Sequence, residues 1–185
     1  MVRESRRLGM RHSDKQIALK PQDLLILFKM ACHKEKSFTY AQLGQELGIS
    51  ASEAHTSLRR TNLARLVFDS EEGQVIQRPA FKDFVLHGAR YCFPASMGAP
   101  TAGIPTGYAA KPLRELIVQP GDLPPVWPQP SGPERGIALT PLYRTVPVAA
   151  ARDHKLHECL ALFDALRIGA ARERELAQQL LSERL

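Results

Sequence analysis

The chain has 185 residues of which 44% are apolar, enough to bury a core in one generous domain or two small ones. No run approaches the ~20 apolar residues that a bilayer crossing requires, and the start lacks the apolar stretch and cleavage site of a secretory signal, so a cytoplasmic protein with no membrane partner is expected. The formal charge of +6 points toward a polyanionic partner, and its distribution is uneven: residues 1–94 carry 15 Lys/Arg against 10 Asp/Glu, residues 95–185 carry 10 against 9.

Residues 1–20 contain Arg3, Arg6, Arg7, Arg11, Lys15 and Lys20 with few apolar side chains, and read as a flexible basic arm. Such an arm either lies on phosphates or in a minor groove, or is a solvated tail, or reflects a start codon placed too early. From Pro21 to His33, Leu24, Leu25, Leu27, Phe28 and Ala31 recur at helical spacing behind a proline suited to a first turn. A second helix starts at Thr39, which with Gln42 makes a T-x-x-Q capping box, while Phe38 is placed to staple on Leu43. Gly48 supplies a left-handed stop near Leu47, and Ser50 with Glu53 opens a third helix running toward Leu66. Val67-Phe68, the turn-like run Asp69 to Gly73, and Gln74-Val75-Ile76 then read as a short hairpin, with an ordinary loop as the alternative.

Beyond Pro79, Phe81, Phe84, Val85 and Ala89 predict a short amphipathic helix leading to Tyr91-Cys92-Phe93. Residues 94–147 hold 12 of the 14 prolines and six glycines, which forbids long helices. Two short strands are expected near Val126-Trp127 and Gly136–Leu139, in an ordered unit anchored by Trp127, Leu139, Leu142 and Tyr143 rather than a loose connector. From Asp153 onward, Leu156, Leu160, Phe163 and Leu166 form one stripe and Leu176, Leu180 and Leu181 the next, giving two helices broken near Gly169. These stripes are the preferred dimerisation surface, and burial within one chain accounts for them equally well.

The run Thr39-Tyr40-Ala41-Gln42-Leu43-Gly44-Gln45-Glu46-Leu47-Gly48-Ile49-Ser50-Ala51-Ser52-Glu53-Ala54-His55 resembles the helix-turn-helix of bacterial winged-helix repressors of the MarR type. The likeness spans about residues 20–80, under half of the chain. It implies a second helix that reads the major groove, a wing that reaches neighbouring phosphates, and a homodimer on a palindromic site. The expected fold class is therefore α-rich α+β: a winged helix-turn-helix over 21–93, then a Pro/Gly-rich unit with short strands and two C-terminal helices over 94–185.

Helical geometry places Ala54, Leu58, Thr61 and Arg65 on one side of the third helix and Ser52, Thr56, Arg59 and Leu63 on the other. Thr61 leaves the inner side less apolar than such a helix favours. Arg59 or Arg60 can fork onto guanine or phosphate, and Ser52, His55 and Thr56 can bond phosphate oxygens or base edges. Ser50 and the leading amides of the same helix offer a phosphate site. Thr39 and Tyr40, at the start of the preceding helix, complete the candidate set for double-stranded DNA.

Other chemistry is thin. The cysteines Cys32, Cys92 and Cys159 form no C-x-x-C pair, which speaks against a disulfide framework and for reduced thiols. His154-x-x-His157 with Cys159 has ligand types, but Cys159 projects away from the imidazoles and no fourth ligand is near, so no metal is expected. Residues 103–111 superficially resemble a phosphate loop without its spacing, and read as a packing turn. No catalytic set and no cofactor motif is evident. The expected function is a transcriptional regulator, a repressor; the alternative is a protein-binding module such as an antitoxin or accessory component of a bacterial defence or toxin–antitoxin system. The C-terminal unit is left with self-association, ligand sensing or the holding of another protein.

Overall fold

The N-terminal half is built on a helix with no solvent side. In the computed structural model, which describes residues 17–71, 73–118 and 123–185, helix α1 (Pro21–Cys32) buries every residue from 23 to 29. The sequence dictates this, because Leu24-Leu25-Ile26-Leu27-Phe28 leaves no polar stripe, and a helix that is apolar all round must be covered on several sides. The expected basic arm falls, as far as residue 16, outside the described residues.

Helices α2 (Tyr40–Leu47) and α3 (Ala51–Leu63) cover part of α1. After α3 the chain turns at Arg65, a non-glycine residue with φ 59°; the Leu66 amide bonds back to the Thr61 carbonyl at 2.9 Å, closing the helix end. A two-stranded antiparallel hairpin follows, β1 (Val67–Ser70) with β2 (Gly73–Ile76), pairing Val67 with Ile76 and Ser70 with Gly73. Next come α4 (Arg78–Asp83), a wider π-type turn over Phe84–Gly88, and α5 (Ala89–Cys92).

The described residues of the proline-rich region contain more structure than the sequence suggests. Strand β3 (Met97–Pro105) pairs antiparallel with both β4 (Pro125–Pro128) and β5 (Glu134–Leu139), and β4 pairs parallel with β5, closing a three-stranded barrel. The strands near Val126-Trp127 and Gly136–Leu139 match β4 and β5, whereas β3, the longest strand, was not foreseen because Met97-Gly98-Ala99-Pro100-Thr101-Ala102-Gly103-Ile104-Pro105 is poor in branched residues. Glycine permits the tight closure: a Cβ at Gly103 would lie 2.3 Å from the Trp127 carbonyl oxygen, and one at Gly136 would lie 2.1 Å from that of Pro124. The segment over 103–111 is the end of β3, a short 3-10 turn (Gly107–Ala109) and the residues leading to a four-residue helix, α6 (Leu113–Leu116).

Helix α7 (Val146–Arg152), not anticipated, tolerates Pro147 because it sits in the first turn. Helix α8 (His154–Ile168) is capped by Asp153, whose Oδ1 accepts the Leu156 amide at 3.1 Å, and α9 (Ala171–Arg184) follows the break at Gly169. Leu156, Leu160, Phe163, Leu166 and Leu181 are buried within this one chain, with Leu176 and Leu180 packed against them, so the leucine stripes turn inward.

Buried residues of the two halves form one hydrophobic core. Phe28 of α1 packs against Phe81 of α4 at 5.6 Å and Phe163 of α8 at 5.4 Å between ring centroids. On α8, buried Asp164 receives Thr106 Oγ1 at 2.7 Å, Trp127 Nε1 at 2.6 Å and Arg167 Nη1 at 2.6 Å. Arg167 also donates to the Phe93 carbonyl at 2.9 Å, so the pair fastens the barrel and the end of α5 to α8. His157, 5.2 Å from the Trp127 ring, donates Nε2 to the Pro105 carbonyl at 2.9 Å, and burial lowers its pKa. No helix among the described residues is long and apolar enough to cross a membrane.

A third polar junction joins α1, α2 and α8. Lys29 Nζ lies 2.6 Å from Glu46 and 2.5 Å from Asp153, and His33 Nε2 lies 2.7 Å from Asp153. Burial alone pushes the Asp153 carboxyl up, but hydrogen bonds from Lys29, His33 and the Leu156 amide hold it down at about 2.

Two measurements follow from this architecture. Gly136→Ala forces a methyl group onto the Pro124 carbonyl and is expected to lose about 1–3 kcal/mol, lowering Tm by several degrees in thermal unfolding. The depressed Asp153 pKa contributes stability that is present above about pH 4 and lost as pH falls toward 2, worth about 2 kcal/mol. Asp153→Asn, which keeps a capping oxygen, is expected to flatten that part of a stability-against-pH profile.

Candidate nucleic-acid interface

The geometry of α2 and α3 is fixed by two capping boxes and two glycines. Thr39 Oγ1 accepts the Gln42 amide at 3.2 Å while Gln42 Oε1 accepts the Thr39 amide at 2.9 Å; Ser50 Oγ and Glu53 repeat the arrangement at 3.1 and 2.9 Å. The Ser50 amide and hydroxyl both donate to Glu53, holding its carboxyl below the usual range. Gly48 takes φ 67° and ends α2. Gly44 allows the turn to fold back on α2, since a Cβ there would meet the Ile49 carbonyl oxygen at 2.8 Å.

Helix α3 is two-sided over Ala51–Leu63, as its periodicity predicts, but Arg65, expected on the inner side, lies past the helix end and is exposed. Ala54, Ser57, Leu58 and Thr61 are buried, and Thr61 satisfies its hydroxyl by donating to the Leu58 carbonyl at 2.9 Å, which is how a polar residue is accommodated on the inner side. Ser52, His55, Thr56 and Arg59 are exposed together on the outer side. Thr56 Oγ1 donates to the Ser52 carbonyl at 2.8 Å, which leaves the hydroxyl oxygen as an outward acceptor. Tyr40, on the first turn of α2, meets the His55 ring edge-on at 5.1 Å and so extends this face onto α2. Arg59 is exposed and has no ion-pair partner among the described residues.

Arg60 departs from the expectation. It turns inward, donating Nε to Asp23 Oδ2 at 2.8 Å and Nη2 to Ser57 Oγ at 3.0 Å; its side chain is 13% exposed and that of Asp23 is fully buried. Hydrogen bonds to Asp23 raise the Arg60 pKa despite burial. The buried Asp23 carboxylate draws Arg60 inward, about 100° round the helix from Arg59, which stays exposed. Of the eight candidate residues, Tyr40, Ser52, His55, Thr56 and Arg59 thus share one outer face. Thr39 and Ser50 are exposed but use their hydroxyls in capping, and Arg60 is structural.

Sequence reasoning passed over Asp23, although a single carboxylate in an otherwise apolar helix is itself a signal that a buried cation will be found. It also passed over the outer face of the hairpin. Phe68 and Val75 form a cross-strand pair, 46% and 41% exposed, beside Leu63 at 56%. Asp69 accepts Asn62 Nδ2 and Gln74 Nε2, each at 3.0 Å, tying the hairpin to the end of α3. Residues 67–76 contain Asp69, Glu71 and Glu72 and no lysine or arginine. The hairpin therefore offers apolar and acidic chemistry next to the polar face of α3.

No family model matches the chain, and no match is found among the curated proteins or the solved structures. The different placement of the adjacent arginines has a measurable consequence. Arg60→Ala strands the buried Asp23 carboxylate and is expected to cost about 3–5 kcal/mol in denaturant unfolding. Arg59→Ala is expected to stay within about 0.5 kcal/mol of the parent protein.

Proposed function

We propose that this chain is a sequence-specific DNA-binding protein, a transcriptional repressor whose residues 21–93 act as a winged helix-turn-helix. The observation that carries this reading is the common outer face of Ser52, His55, Thr56 and Arg59 on α3, extended by Tyr40 on α2. It supplies a cation and several donors and acceptors on a helix whose opposite side is locked into the core, the combination a major groove requires. The excess of basic residues over 1–94 supports the same reading. In this role Arg59 forks onto guanine or phosphate, Ser52, His55 and Thr56 bond phosphate oxygens or base edges, and the capped start of α3 faces a phosphate. A palindromic site calls for two copies of the chain, and their contact lies outside the inward-turned leucine stripes of α8 and α9.

One observation favours a second reading, a protein-binding module such as an antitoxin or accessory component of a bacterial defence system. The hairpin that would serve as the wing lacks basic residues and exposes Phe68 and Val75, a chemistry suited to a protein surface rather than to phosphates.

The test is titration of the purified chain onto its own upstream DNA, with unrelated competitor, across a salt series. Binding that survives competition and weakens as salt rises is expected. Arg59→Ala is expected to weaken it roughly tenfold or more and, if the contact is to phosphate, to lower the salt slope by about one. No binding at low salt by a folded protein overturns the DNA-binding reading and leaves the protein-binding one.

A further inference from the structure

Cys32 ends α1 and Cys159 sits on the second turn of α8, so the two cysteines that lie 127 positions apart meet where these helices cross. Cys159 is the neighbouring group that acts most strongly on the Cys32 thiol, and both line one open cleft whose walls include Lys34, Lys155, Glu158 and Arg184. In the lining of this cleft Cys32 is half-buried and Cys159 is buried, whereas Cys92 is exposed on α5 and does not line it.

We propose that Cys32 and Cys159 are a redox-modified pair that closes to an intramolecular disulfide when hydrogen peroxide enters the cleft. Cys32, the more accessible sulfur, attacks the peroxide: an S–O bond forms, the O–O bond breaks and one water leaves. The Cys159 sulfur then displaces the hydroxyl from Cys32, forming the S–S bond and releasing a second water. Two thiols lose two electrons and two protons, and the peroxide is reduced to two waters. The neighbouring Cys159 and burial both push the Cys32 thiol well above its ordinary pKa, so Cys32 is held as the thiol and closure is slow at neutral pH.

The position of the pair gives closure a structural consequence. The bond would fasten the end of α1 to α8 directly before residues 33–39, the segment that carries His33 and Lys36 and leads into α2. It would add a covalent link beside the Lys29, Glu46 and Asp153 junction.

The experiment is peroxide treatment of the full chain followed by trypsin digestion without reductant, in the parent protein and in Cys92→Ser. The expected product joins the peptide Met30–Lys34 to Leu156–Arg167 and separates on reduction. In Cys92→Ser the free-thiol count is expected to fall from two to none, with the intact chain lighter by two hydrogens. The proposal is overturned if both thiols stay free under conditions that oxidise Cys92 of the parent, if Cys32 retains added oxygen instead of bonding to sulfur, or if the link joins two chains. The parent digest requires no core substitution, so the outcome does not depend on a variant folding.

Discussion

A helix without a solvent face governs the arrangement of everything around it. Because α1 is covered on all sides, its two buried charges must each find a partner from another element, and an unpaired one would cost several kcal/mol. Asp23 takes Arg60 from α3; Lys29 takes Glu46 from α2 and Asp153 from the start of α8. Apolar packing supplies the driving force, through Phe28 lodged between Phe81 and Phe163 and the leucines on either side. The ion pairs add little net stability by comparison, but they admit only one rotation of α2 and α3 about α1.

That fixed rotation determines which residues of α3 are available to a partner. With Arg60 drawn in, the helix cannot roll, and Arg59 is presented on the opposite side with Ser52, His55 and Thr56. The polar outer face of α3 and the apolar, acidic hairpin lie side by side, joined through Asn62, Asp69 and Gln74.

The local features of the first half were legible because each is decided by a few adjacent residues. Thr39 with Gln42, Ser50 with Glu53, and Gly48 specify caps and a stop whatever surrounds them, and α2 begins and ends and α3 begins where these residues require. The strand β3 was not legible, since its backbone is held by closure against β4 and β5 rather than by its own side chains. Helix α7 was hidden by Pro147, which reads as a breaker until its place in the first turn is known. Within the candidate site, periodicity separated the inner and outer sides of α3 but could not distinguish Arg59 from Arg60, because the deciding carboxylate, Asp23, lies 37 residues away. Likewise, spacing gave no reason to bring Cys32 together with Cys159.

The dependence of α1 on α8 bears on how the protein is made. The Lys29 to Asp153 contact spans 124 positions, and Phe163 and the carboxylate that receives Trp127 arrive later still. A ribosome therefore releases Leu24–Phe28 long before the surface that covers them has been synthesised, leaving this apolar stretch uncovered until α8 emerges. Contacts so distant in sequence slow the closing of the core, and during that interval the nascent chain is open to chaperones and to self-association. A truncation that removes α8 and α9 would strip α1 of a wall, so expression of the first half alone is a poor route to the outer face of α3.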